Sequence, residues 1–335
     1  MTKINKIFIP PHPLKTAVLF LVFNRLETTK KVFKEISKAK PPRLYIASDG
    51  ARSNLQNETF IVKSIRDHIL KNIDWKCEVK TLFRKKNLGC KYAVTSAITW
   101  FFENEDQGII LEDDCLPSKS FFWYCEELLN KYKNNNSIYL ISGETHSSKF
   151  LKKGEDYSFC KYPLLWGWAS WKRAWKNYDP EMTDWPEKKI EVINSVSKYK
   201  STINFWKINF ERMYNKEIDT WDYQLAYLLL KKNAKCIFPK LNLITNIGFG
   251  LDATRTNDIN SDAANRQRFE INIPLNHFTH PKSEERVNKF YDLNEFSLKN
   301  SFVHYINKKI YNFLRFILGK KNAESLRIFI NDIIY

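Results

Sequence analysis

Gly108-Ile109-Ile110-Leu111-Glu112-Asp113-Asp114 joins an apolar run directly to three carboxylates. The residues before the acids read as a strand buried in a sheet, and such a strand aims whatever follows it at a defined crevice. Adjacent carboxylates repel one another, so the triplet adds nothing to the fold unless cations or hydrogen-bond donors gather around it. Oxygen ligands suit Mg²⁺ or Mn²⁺, which keep several waters and bridge a diphosphate, so one protein carboxylate can suffice. The competing reading is a solvated acidic turn capping an aromatic helix that starts near Ser118.

Upstream and downstream, residues 17–23, 44–47, 79–83 and 138–141 also read as strands. Between them Val32/Phe33/Ile36, Ile61/Ile65/Ile69 and Val94/Ile98/Phe101/Phe102 recur at helical spacing. This alternation predicts an α/β fold with a Rossmann-like, mainly parallel sheet flanked by helices. Ligands of such sheets sit beyond the carboxyl ends of the strands, which selects Asn24-Arg25, Ser48-Asp49-Gly50 and Glu112-Asp113-Asp114.

Residues 157–232 are rich in tryptophan (Trp166, Trp168, Trp171, Trp175, Trp185, Trp206, Trp221). Aromatic density of this kind is usually core; sugar-stacking walls are the sharper alternative. A helix is expected over 222–232, a short strand over 236–239 and an Asn-rich loop over 242–260. No internal repeat or low-complexity linker is evident. The expected organisation is one domain over 1–300, with a nucleotide-binding half at about 15–150 and an acceptor or catalytic half at about 151–285. A basic, helical C-terminal appendage over 301–335 follows.

The chain has 335 residues, 43% of them hydrophobic and 15% aromatic, enough for a sizeable core and against global disorder. A net charge of +17 favours a polyanionic neighbour, whether nucleic acid, an anionic membrane or a phosphorylated substrate. The six cysteines form no C-x-x-C pair, which points to reduced thiols and not to a disulfide framework or structural zinc. The N-terminus lacks a signal-peptide layout, and no apolar stretch approaches the roughly 20 residues that span a bilayer. The expectation is a cytoplasmic chain, soluble or peripheral on the inner face of a membrane.

Four segments, taken in order, resemble the GT-A nucleotide-diphospho-sugar glycosyltransferases, most closely the branch of inverting N-acetylglucosaminyltransferases and their bacterial relatives. They are Phe23-Asn24-Arg25-Leu26-Glu27, Ser48-Asp49-Gly50, Leu111-Glu112-Asp113-Asp114, and Trp221-Asp222 with Phe238-Pro239 and Asn246-Ile247-Gly248-Phe249-Gly250. The resemblance implies a hexosyl- or N-acetylhexosaminyl-transferase that uses Mn²⁺ or Mg²⁺. Its donor would be a nucleotide-diphosphate sugar, usually UDP, and its acceptor a glycan or lipid-linked molecule. Arg25 would hold the diphosphate or nucleotide, Asp49 the base, Glu112 and Asp113 the nucleotide and ribose, and Asp114 the metal. Asp222 resembles the catalytic base that takes the acceptor's proton, with Asp219 in reserve; either aspartate could instead cap the following helix. The loop around Trp168 would shape the sugar pocket, with Gly167 letting backbone approach ligand. Arg255 stands where relatives carry histidine and could reach phosphate, which leaves His280 as the late metal-ligand candidate against a structural role before Pro281.

Two readings from other classes compete. A nucleic-acid or phosphodiester enzyme would use both the charge and the acidic cluster, but the basic residues are scattered and no nucleic-acid motif appears, so none is expected as a partner. A noncatalytic sugar-binding module leaves Asp49 and Glu112–Asp114 without a purpose. The Lys, Asn and Ile bias suggests an AT-rich bacterial genome and, by analogy, cell-surface polysaccharide assembly. The tail over 301–335, basic residues interleaved with apolar ones, is expected either to meet an anionic membrane or to pack on the domain.

Overall fold

Five consecutive apolar residues, Val18–Val22, form strand β1, all of them buried. The chain continues as α1 (Leu26–Ala39), β2 (Arg43–Ser48), α2 (Glu58–Lys71), β3 (Glu78–Phe83), α3 (Gly89–Asn104) and β4 (Gln107–Glu112). Next come β5 (Cys115–Pro117), α4 (Phe121–Tyr132), β6 (Ile138–Ser142), β7 (Tyr157–Cys160), β8 (Trp168–Trp171) and the short α5 (Lys172–Trp175). The remainder comprises α6 (Trp185–Val196), α7 (Lys200–Tyr214), α8 (Asp222–Lys231), β9 (Lys235–Pro239), β10 (Ile244–Asn246) and α9 (Glu284–Phe290). This computed structural model describes residues 8–249, 264, 266–277 and 284–298. Arg255, His280 and the tail over 301–335 lie outside the described residues.

Eight strands form one sheet in the order β3-β2-β1-β4-β8-β6-β9-β7. β1 pairs in parallel with β2 and β4, β2 with β3, and β6 with β9. β8 runs antiparallel between β4 and β6, and β7 antiparallel on β9. Six strands therefore share one direction, as the alternation of strand and helix predicts, and β7 and β8 oppose it. These two come from the tryptophan-rich middle, where the sequence carries no strand–helix alternation to announce them.

Strand pleating sends the residues of β1 to two cores. Leu19 and Leu21 join α3 and the Trp168, Trp185 and Trp206 layer on one face, while Val18, Phe20 and Val22 meet α1, α2 and α4 on the other. Burial on both faces explains the unbroken apolar runs of β1 and β4. Six of the seven middle tryptophans are buried and Trp166 is half-buried, so the core reading holds for most of them. On α2 the inner face is Val62, Ile65 and Ile69; Ile61, expected there, is 37% exposed. No described helix is long and apolar enough to cross a membrane.

Candidate active site

On one side of β1 the chain steps to β2 and β3; on the other lies β4, reached only after α3. A crevice opens at such a reversal, beyond the strands' carboxyl ends. Arg25, three residues past the end of β1, and Glu112-Asp113-Asp114 face each other there. The Arg25 guanidinium donates Nη1 to Asp114 Oδ2 at 2.9 Å and Nη2 to Asp113 Oδ1. The Phe23 amide adds a bond to Asp113 Oδ2 at 3.3 Å. Burial alone would lower the Arg25 pKa, but Asp113 and Asp114 raise it well above its ordinary value.

One arginine does not balance three acids. Burial first, then Asp114 and Asp113, push the Glu112 carboxyl up to about 8, and Asp222 adds a further like charge. Asp113 rises to about 6 through burial, against the pull of Arg25. Asp222 is thus within electrostatic reach of the β4 edge.

The antiparallel pair β5–β10 brings Asn246-Ile247-Gly248 against Asp114. The Ile247 amide donates to the Asp114 carbonyl at 2.9 Å. A Cβ on Gly248 would lie 2.2 Å from Asp114 Oδ2 and 2.7 Å from Arg25 Nη1, so a larger residue there would displace the Arg25–Asp114 pair. Among the described residues no three His, Cys, Asp or Glu side chains gather to hold a metal. The hard-oxygen chemistry and the excess of buried negative charge fit a divalent cation that would take most of its ligands from phosphate and water, and Asp114 is the carboxylate that could hold it.

Asp49 follows β2, as expected, and is half-buried. Its carboxylate accepts the Gly50 amide at 2.9 Å, the Leu88 amide at 3.1 and 3.0 Å, and Asn87 Nδ2 at 3.0 Å. Burial raises its pKa against those amides. Its visible work is to shape the loop between β3 and α3.

Asp222 is the first residue of α8, preceded by Trp221 at the cap position. Its Oδ1 accepts Thr220 Oγ1 and the Tyr223 amide, the latter at 3.0 Å. The described hydrogen bonds of Asp219 run to α3. Its carboxylate accepts the Cys90 and Lys91 amides, each at 2.8 Å, and so caps α3 from 129 and 128 residues away.

Trp168 is 1% exposed and stacks on Trp221 at 5.8 Å, so it builds the wall behind Asp222 and offers no open face. The close approach that Gly167 permits is to Ile244 and Leu111 side chains, a packing contact. Trp166, by contrast, is half-buried and packs edge-on to Phe249 at 5.8 Å.

Two residues escaped the sequence reading. Glu144 and His146 follow β6, whose direction matches β4, so the rule that selected Asp49 also selects them. Glu144 accepts the Trp166 amide at 3.1 Å and bonds His146 Nε2 at 3.0 Å; His146 Nδ1 meets Glu295 at 3.2 Å. Burial lowers the His146 pKa, yet the bonds to Glu144 and Glu295 bring it up to about 9.

Neither a family model nor a curated protein sequence matches this chain. Among solved structures it is similar to TarS from S. aureus, residues 1–349, at 9% identity over 69% of this chain and 59% of that one, TM-score 0.37. A mannosyltransferase, PcManGT from Pyrobaculum calidifontis, in complex with GDP-Man and Mn²⁺, matches at 8% identity over 66% and 70%, TM-score 0.36. HddC from Yersinia pseudotuberculosis matches at 12% identity over 38% of this chain, which spans little more than half, 56%, of that one, TM-score 0.26. At these values the matches carry no assignment of residue, donor or acceptor.

Proposed function

We propose that this chain is a metal-dependent, inverting glycosyltransferase that moves a sugar from a nucleotide-diphosphate donor to a glycan or lipid-linked acceptor. The observation that supports the reading is the undercompensated acidic edge of β4, bracketed by Arg25 and within electrostatic reach of Asp222. The nucleotide lies over the carboxyl ends of β1, β2 and β4, with Asp49 fixing its loop, Glu112 and Asp113 toward the ribose, and the spare donors of Arg25 toward phosphate. Asp114 would hold the divalent cation, which would neutralise charge on the leaving nucleoside diphosphate. Asp222 accepts the proton of the attacking acceptor hydroxyl on the face opposite the leaving group. UDP is the donor nucleotide to try first. In this division residues 15–150 form the donor half and 151–285 the acceptor half.

The test is a screen of nucleotide sugars for Mn²⁺- or Mg²⁺-dependent hydrolysis and transfer, with product stereochemistry by NMR. In a folded Asp114→Ala protein, calorimetry should show metal-dependent nucleotide binding lost. Asp222→Asn should bind donor as the parent does and transfer about 10²- to 10⁴-fold more slowly. Retention of anomeric configuration excludes inversion, and Asp222→Asn at the parent rate removes the base.

A further inference from the structure

The first turn of α3 is an unusual joint. A helix leaves its first amides without partners of its own, and local side chains normally supply them. Leu88, at the cap position of α3, supplies none. Two aspartates distant in sequence do so instead. Asp49 takes the Leu88 amide, and Asp219 takes the Cys90 and Lys91 amides at 2.8 Å each. Gly89 lies between them with φ +79°, and a Cβ there would stand 2.8 Å from Asp219 Oδ2. One helix start is therefore gripped by a carboxylate from the β2 edge and by one from the turn that leads into α8.

That second grip lies three residues before Asp222. The intervening turn is short and braced: Tyr178 donates its hydroxyl to the Trp221 carbonyl at 2.9 Å, Trp221 stacks on Trp168, and Gln224 Nε2 bonds the Thr220 carbonyl at 2.8 Å. Lys91 and Tyr92, just inside α3, both reach Glu181 Oε1, at 2.7 and 2.8 Å. Among the described bonds of this turn, those of the Asp219 carboxylate cross directly to the half that bears Asp49.

We infer that Asp219 is a positioning residue, not a proton acceptor: it ties the Asp219–Asp222 turn to the first turn of α3 and so sets where the Asp222 carboxylate stands relative to bound donor. The inference rests on the transferase reading above. A misplacement of about 1 Å can cost on the order of 10²-fold in rate without loss of binding, and that asymmetry is the signature to look for.

The experiment compares the full-length parent with Asp219→Ala, which keeps no acceptor, and Asp219→Asn, which keeps one carbonyl oxygen for one amide. Circular dichroism and melting first establish that each is folded. Expected is a fall in kcat of about 10²-fold for Asp219→Ala with donor KM and nucleotide Kd nearly unchanged, and recovery of most of that loss in Asp219→Asn. Should the alanine variant fail to fold, Gly89→Ala stresses the same joint from the helix side and should show the same loss of kcat alone. An Asp219→Asn as inactive as Asp219→Ala would make Asp219 the base and overturn the inference. Parent-like kcat in all variants, or donor affinity lost in step with kcat, also overturns it. A parent inactive with every donor overturns the transferase reading itself, an outcome distinct from these.

Discussion

Arg25 is the residue on which the candidate site turns, because it is the cation placed between two acids that burial has already made costly to charge. Asp113 is 3% exposed, and removing one partner of a buried pair typically costs roughly 3–5 kcal/mol by leaving the other uncompensated. Arg25→Met should therefore melt well below the parent in metal-free buffer. Added Mn²⁺ should raise its melting temperature by more than it raises the parent's, since the ion would then supply the missing charge. A melting temperature that stays with the parent's, or an equal response to Mn²⁺, would show that the acidic edge does not depend on this pair. The sequence made Arg25, Asp113 and Asp114 visible as neighbours of strand ends. It did not reveal that Arg25 spans both acids, because that contact depends on β1 and β4 lying side by side.

At the scale of elements, the segment after β6 is clipped to the 291–295 turn by His146, which sits between Glu144 and Glu295 while its backbone amide donates to Tyr291 Oη at 3.4 Å. The folded pKa of about 9 exceeds the ordinary 6.5, so the folded state binds the proton more tightly than the unfolded chain. The stabilisation is fully present below pH 6.5 and is lost as pH climbs through 9. Melting curves across that window should show the parent losing stability more steeply than His146→Gln. Parallel curves would mean the clip is electrostatically idle. The strand-end rule could have picked out Glu144 and His146 after β6, but the clip they make to Glu295 was not legible in the sequence. A lone histidine carries no periodic signal, and Glu295 lies 149 positions from it. Helices α1 and α3, by contrast, were readable, because their buried positions recur every three or four residues on one face. The capping of α3 by Asp219 was hidden for a related reason. Capping rules look within one turn of a helix, and Asp219 acts on a helix that begins 130 positions earlier.

Over the whole molecule, the parallel strands were legible from their apolar runs, whereas β7 and β8 were not, since the tryptophans that build them read as core without stating an element. The site inherits that division: the β1, β2 and β4 edges could be found by rule, and the wall behind Asp222 could not. The position of β8 also has a consequence for synthesis. β6 pairs with β8, not with β4, so the N-terminal strands and the β6 segment cannot join until Trp168–Trp171 has been made. Until then a nascent chain carries β4 as an open edge, with Ile109 and Ile110 at its centre. At roughly 5–20 residues per second the ribosome needs on the order of several seconds to travel from β4 to β8. For that interval the emerging chain is most exposed to pairing with another copy of itself, a hazard that ends when a single four-residue strand slots into place.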